Sequence, residues 1–290
     1  MPNRPSYVRA IDATLRMYSH VAPTGRGGYR LARLARRFHA ADDQVAQFRT
    51  PDGLRFNLDL RTYPDCCMAF GLYELDTARV IRRVLGPGDT FIDGGANIGY
   101  FTLIAAKAVG PTGRVHAFEP QPDNRRRLAE HVAMNGLGDV VTIHPVALSD
   151  QPGEVELHTF ENPAANHGQS TLFVSPDTAT RKVTVESVRL DDYLPAVAPR
   201  LVKLDIEGAE PLAISGMTQT LRAHHPDVIV ELNATTLARG GFATREPFDR
   251  LLAAVPEYEP HVIAWRLKRL DAAKIERLGE VNLLFTVRGR

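Results

Sequence analysis

Five short apolar runs recur along the chain, at residues 91–93, 115–119, 141–147, 201–205 and 228–231. Stretches with helical periodicity, at 98–109, 122–135, 209–223 and 246–254, follow most of them. A strand that reads as a continuous apolar run is buried on both faces, and helices on both sides of a parallel sheet do the burying. That pattern restricts the chain to an α/β fold with a mostly parallel central sheet. Residues 257–265 and 281–287 are expected to pair antiparallel and to place an antiparallel strand at the C-terminal edge. Between the third and fourth runs lies a polar insertion, 149–188, with strand-like alternation at 154–160 and 182–188 and a loop at 162–170.

The first 70 residues have a different character. Two helices are expected at 7–18 and 29–39, then a hairpin of 45–49 and 54–60 around Thr50-Pro-Asp-Gly53, a sequence suited to a tight turn. A helix over 72–85 ends at Gly86-Pro-Gly88. We divide the chain into an N-terminal appendage, 1–70, and an α/β domain, 71–290.

Of 290 residues, 44% are hydrophobic and 24% charged, and the net charge of +1 gives no basic footprint for nucleic acid. The arginines at 26, 30, 33, 36 and 37 read as a solvated helix face. Cys66 and Cys67 are adjacent, a spacing that strains a disulfide and fits no metal motif, so a reducing cytoplasmic setting is expected. No signal peptide is evident, and no stretch approaches the roughly 20 apolar residues of a membrane span.

The first run opens Asp89-Thr-Phe-Ile-Asp-Gly-Gly-Ala-Asn-Ile-Gly-Tyr-Phe-Thr102, a strand, a glycine-rich turn and a helix start. Glycines admit close approach of a ligand, and the helix start offers unbonded N–H groups. Asp93 stands on the strand end before the glycines, where it would repel a pyrophosphate and attract an ammonium or sulfonium. Those charges fit S-adenosylmethionine better than NAD. Glu119 ends the second run and is placed to accept hydrogen bonds from a ribose diol. In Lys203-Leu-Asp-Ile-Glu-Gly-Ala-Glu210, Asp205 and Glu207 fall at the carboxyl end of a central strand, beside the crevice where open α/β sheets bind ligands.

The pairing of Asp93-Gly-Gly-Ala-Asn-Ile-Gly99 with Lys203-Leu-Asp-Ile-Glu-Gly-Ala-Glu210 resembles the FkbM-type family of S-adenosylmethionine-dependent methyltransferases. Gly71-Leu-Tyr-Glu74, Ala147-Leu-Ser-Asp150 and the stretch 185–194 match the family's pattern as well, so the likeness covers 71–232. Gly94 departs from it, standing where the family often has valine. The resemblance implies a class I methyltransferase (Rossmann-like) fold and methyl transfer to hydroxyls of sugars or natural products. It further implies that Asp93, Gly95, Asn97 and Gly99 surround the methionine half of the cofactor and Glu119 the ribose. Ala147, Leu148 and Ser149 would flank the adenine, Asp205 would lie near the sulfonium, and Glu74 would reach the same pocket.

Candidates for a base that relieves an acceptor hydroxyl of its proton are Asp205, Glu207, Glu231 and His167, the last on the insertion loop. A magnesium ion on Asp205, Glu231 and Asn233 is an alternative that we do not expect. An NAD(P)-dependent oxidoreductase leaves Asp93 unexplained, and a non-catalytic binding module leaves the retained acids unexplained. The expected partner is a small-molecule or glycan hydroxyl acceptor, with no nucleic acid and no membrane span. The N-terminal helices are open to two uses, covering the active site or forming a homodimer contact.

Overall fold

A computed structural model describes residues 13–14, 45–50, 52–160, 170–174 and 180–287. The helices expected at 7–18 and 29–39 therefore lie outside the described residues, save Ala13 and Thr14, and so does the loop 161–169 that carries His167. The described chain opens with the hairpin of β1 (Ala46–Arg49) and β2 (Arg55–Leu58), paired antiparallel with Ala46 opposite Leu58. A short helix not expected from the sequence, α1 (Tyr63–Ala69), carries Pro64 in its first turn, where a missing N–H costs nothing. Then come α2 (Leu75–Val84), β3 (Thr90–Gly94), α3 (Tyr100–Val109), β4 (Arg114–Phe118), α4 (Pro122–Met134) and β5 (Val141–His144).

The third apolar run divides at Pro145, which has no N–H for a ladder. Its first half is β5, while Ala147–Leu148 forms β6 of a second sheet. With β7 (Gly153–Phe160), β8 (Ser170–Thr171) and β9 (Thr180–Val188), this sheet is ordered β6-β9-β7-β8 and makes up the insertion. The chain continues through α5 (Leu190–Tyr193), β10 (Leu201–Leu204), α6 (Glu210–Gly216), α7 (Thr218–His224), β11 (Asp227–Asn233) and α8 (Ala234–Arg239). The single helix expected at 209–223 is two, because Met217 leaves the helical region at φ −123°. Last are α9 (Glu246–Ala254), β12 (Tyr258–Val262), β13 (Lys268–Arg269), a 3₁₀ turn (Ala272–Arg277) and β14 (Glu280–Val287).

The main sheet runs β13-β12-β14-β11-β10-β3-β4-β5. Strands from β11 to β5 are parallel neighbours, and β14 enters antiparallel between β11 and β12. One face is covered by α2, α3, α4 and the hairpin, which share a core of Phe56, Ile81, Phe91, Phe101, Leu103 and Leu128. The other face packs Met217, Leu221, Leu237, Phe248, Tyr258 and Phe285. Strand order reverses between β3 and β10, so their carboxyl ends open a crevice at the centre of the sheet. Among the described residues no helix is long and apolar enough to cross a membrane.

Candidate functional site

Both predicted motifs meet at that crevice. Gly95 has φ +81°, and a Cβ there would lie 2.0 Å from the Asp205 carbonyl oxygen, so the turn after β3 packs backbone to backbone on the turn after β10. The Gly95 and Ala96 N–H groups donate to the Phe118 carbonyl at 3.1 and 3.0 Å, which pins the turn to the end of β4. Gly99, at φ +94°, leaves room for Leu128, whose Cδ1 would sit 2.4 Å from an added Cβ. His131 of α4 braces the turn from behind. Its Nδ1 faces the Ile98 carbonyl at 2.7 Å and its Nε2 accepts from Asn57 N–H at 3.0 Å, so it is the neutral tautomer with the proton on Nδ1.

Glu119 is buried just beyond β4 and accepts two backbone N–H bonds, from Asn97 at 2.7 Å and from Gln121 at 2.9 Å. Burial nevertheless outweighs those donors and pushes its carboxyl up to about 7. Asp93 has no exposed surface. Its Oδ2 accepts from the Thr102 hydroxyl at 2.6 Å, whereas Oδ1 has no protein partner. Burial raises its pKa, and the ammonium of Lys203 pulls it back.

The turn after β10 is built around another acid. Glu210 is buried at the start of α6, and its carboxylate accepts the N–H of Ile206 at 2.9 Å and of Gly208 at 3.1 Å. Glu207 adopts φ +55°, and its carbonyl accepts from the Thr171 hydroxyl at 2.9 Å, tying the insertion to the crevice. Asp205 Oδ2 lies 2.8 Å from the Lys203 Nζ. Asp205 beside it, then burial, then Glu207, Glu210 and Glu280 together push Glu231 up to about 11.

The resulting cleft encloses about 1110 Å³, part of it open to solvent. Gly95, Asn97, Glu119, Ala147, Leu148, Asp205 and Glu207 line it, all of them anticipated from sequence. Other anticipated residues stand behind its wall. Asp93 and Gly99 lie under the turn, and Ser149 turns its N–H to the Val188 carbonyl at 2.9 Å. Glu74 precedes α2 and accepts from Asn282 Nδ2 at 2.9 Å, while its neighbour Tyr73 faces the cleft. Glu231 lies close enough to Asp205 for strong repulsion but is not part of the wall. Asn233 caps α8, its Oδ1 accepting from Thr235 N–H at 3.1 Å, so the oxygen counted in the alternative ion set is already engaged by the helix. Among the described residues no three His, Cys, Asp or Glu side chains are grouped to hold a metal ion.

Several wall residues were not anticipated. Pro64 and Met68 come from α1, Tyr73 from the turn before α2, Phe101 from α3, and Leu157 and Leu172 from the insertion. Lys203, 1% exposed, also lines the cleft. Its signal was in the sequence, a lysine inside an otherwise apolar central strand.

The chain matches the methyltransferase FkbM domain over residues 93–265. It is 30% identical over 161 residues to the hexuronic acid methyltransferase AglP of Haloferax volcanii, a match spanning 56% of this chain and 63% of that protein. Among solved structures, methyltransferase FkbM from Methylobacillus flagellatus superposes with a TM-score of 0.45 at 14% identity, covering 76% of this chain and 65% of the other. The O-methyltransferase TomG from Streptomyces achromogenes gives 0.42 at 16% identity, covering 73% and 78%. The FkbM match takes in the glycine-rich turn, Glu119, the insertion and the Lys203–Glu210 motif, well over half of the chain: this protein belongs to the FkbM methyltransferase domain family.

Proposed function

We propose that this chain is an S-adenosylmethionine-dependent methyltransferase that methylates a hydroxyl of a sugar, glycolipid or secondary metabolite. The observation that carries the reading is Asp93, a fully buried carboxylate with one oxygen lacking a protein partner, beneath a glycine turn that leaves no room for a side chain. A buried acid of that kind is costly unless cations offset it; Lys203 offsets part of the cost, and the cationic end of a ligand above the turn would offset more. The likeness to a hexuronic acid methyltransferase supports a sugar acceptor. Cys66 and Cys67, both buried as thiols, support a reducing cytoplasmic setting.

The cofactor supplies an electrophilic methyl group on a sulfonium. Asp93, Gly95, Asn97 and Gly99 would surround its methionine half, Glu119 would hold its ribose diol, and Ala147 and Leu148 would flank its adenine. For Asp205 we propose the role of base, receiving the proton that the acceptor hydroxyl gives up as its oxygen bonds to the methyl carbon. Glu231, its carboxyl pushed up to about 11 by Asp205 and by burial, keeps its proton at neutral pH and is not available as a base. Most of the rate is expected from alignment, which supplies roughly 7–11 kcal/mol in favourable cases.

Calorimetric titration with S-adenosylmethionine, S-adenosylhomocysteine and NAD⁺ tests the reading. Micromolar affinity for the first two and none for NAD⁺ is expected, and binding of NAD⁺ alone would overturn it. The affinity should also depend on pH through Glu119. With its pKa raised to about 7, Glu119 is largely protonated below that value and ionised above it. The ionised form accepts better from a diol, so affinity for S-adenosylhomocysteine rises between about pH 6 and 8. Glu119→Gln should flatten that slope; an unchanged slope removes Glu119 from the ribose site.

A further inference from the structure

Lys203 is a buried cation whose neighbours are mostly acids. It occupies the middle of β10, in register with Asp93 on β3, and its Nζ is 2.8 Å from Asp205 Oδ2. On the helix side the Nζ sits 4.8 Å from the centre of the Phe101 ring. Glu74 approaches from the turn before α2. Burial works against charge on the Lys203 ammonium, yet Asp205, Asp93 and Glu74 outweigh it and raise its pKa above the ordinary lysine value. The ammonium is therefore permanent at any working pH, and no deprotonated lysine is available to act as a base.

We propose that Lys203 is a positioning residue of the cofactor site: its ammonium, in register with Asp93 beneath the glycine turn and bonded to Asp205 at the cleft, holds the two acids where they act on the cationic end of S-adenosylmethionine. This rests on the cofactor reading above. An isolated carboxylate at this depth would take up a proton, and a neutral acid has little attraction for an ammonium or sulfonium. Two acids facing one cationic ligand would also repel each other once both are charged. A fixed ammonium between them removes that repulsion before the ligand arrives. The groups facing Asp93 are Lys203, Asp205, the Thr102 hydroxyl and, across the turn, Glu119. Those facing Lys203 are Asp93, Asp205 and Glu74.

Lys203→Met, which keeps the length and apolar stem of the side chain, tests the proposal through the dissociation constant of S-adenosylmethionine measured against pH. The quantity to follow is the ratio of variant to wild type, in which the titration of Glu119 cancels. At pH 7 the ratio should be about tenfold or more, the factor belonging to one unit of pKa, and it should fall toward one as the pH is raised and Asp93 ionises unaided. A purely structural loss would leave the ratio independent of pH. Wild-type binding with a ratio that is near one, or constant across pH, overturns the role of Lys203 while leaving the cofactor reading intact. No binding by the wild type overturns both. Should Lys203→Met fail to fold, carbon-13 shifts of the aspartate carboxyls in the wild type carry the test. Asp93 should read as a carboxylate in the unliganded protein under the binding conditions, and a carboxylic acid there refutes the proposal.

Discussion

Gly95→Ala removes measurable binding of S-adenosylmethionine. The added Cβ would stand 2.0 Å from the carbonyl oxygen of Asp205 and 2.9 Å from its carbonyl carbon, and both are backbone atoms that cannot rotate aside. The left-handed conformation, φ +81°, adds roughly 1–2 kcal/mol for any residue with a Cβ. Relief requires the turn after β3 and the turn after β10 to separate. Separation breaks the bonds of Gly95 and Ala96 to the Phe118 carbonyl and displaces Asn97 from Glu119. The defect is thus centred on the cleft, and the melting temperature should drop by several degrees as well. Gly136→Ala is the control, because Gly136 has φ +67° with nothing within 4 Å of its added Cβ. It carries the conformational cost without the clash and should bind normally. Calorimetry and thermal melts on both variants decide the matter, and near-wild-type affinity in Gly95→Ala would mean that the two turns are not rigidly packed.

Asp205→Asn lowers turnover by roughly 10²–10⁴-fold, the usual contribution of a positioned base, and affects cofactor affinity less. The substitution is nearly isosteric, so the turn held by Glu210 should survive. It removes the proposed proton acceptor and leaves Lys203 with Asp93 and Glu74 as its acidic neighbours. Because Asp205 is the largest cause of the raised Glu231 pKa, Glu231 should ionise at lower pH in this variant. Steady-state kinetics with the true acceptor would separate the effects on kcat and KM. Near-wild-type kcat would exclude Asp205 as the base and leave alignment alone to account for the rate.

Much of the site was legible because its chemistry is local in the chain. Glycines at 95 and 99 and the acid at 93 lie within seven residues of one another, and a strand, a turn and a helix start place them without help. The ends of successive parallel strands share one edge, so Glu119 and Asp205 could be assigned to a common crevice before any contact was known, whereas Ala147 and Leu148 came only from the family resemblance. Lys203 was legible as an oddity but not as a function, since its partner Asp93 lies on a different strand and only sheet register sets them side by side. The fate of Glu74 depended on Asn282, 208 residues away, and that of Asn233 on a helix too short to show a period. Likewise, nothing in the spacing of Pro64, Met68, Leu157 or Leu172 marks them as parts of one wall.

By itself the sequence determined the α/β class, the position of the crevice and the glycine-rich turn beside it, because periodicity, glycine conformation and strand-end acids act over a few neighbouring residues. Tertiary structure alone decided which acids carry charge. Burial and the distance between carboxylates push the Glu119 and Glu231 carboxyls up, and burial raises that of Asp93 against the pull of one buried ammonium. Those interactions depend on separation in space and on the exclusion of water, which strand order and helix packing fix and residue spacing does not.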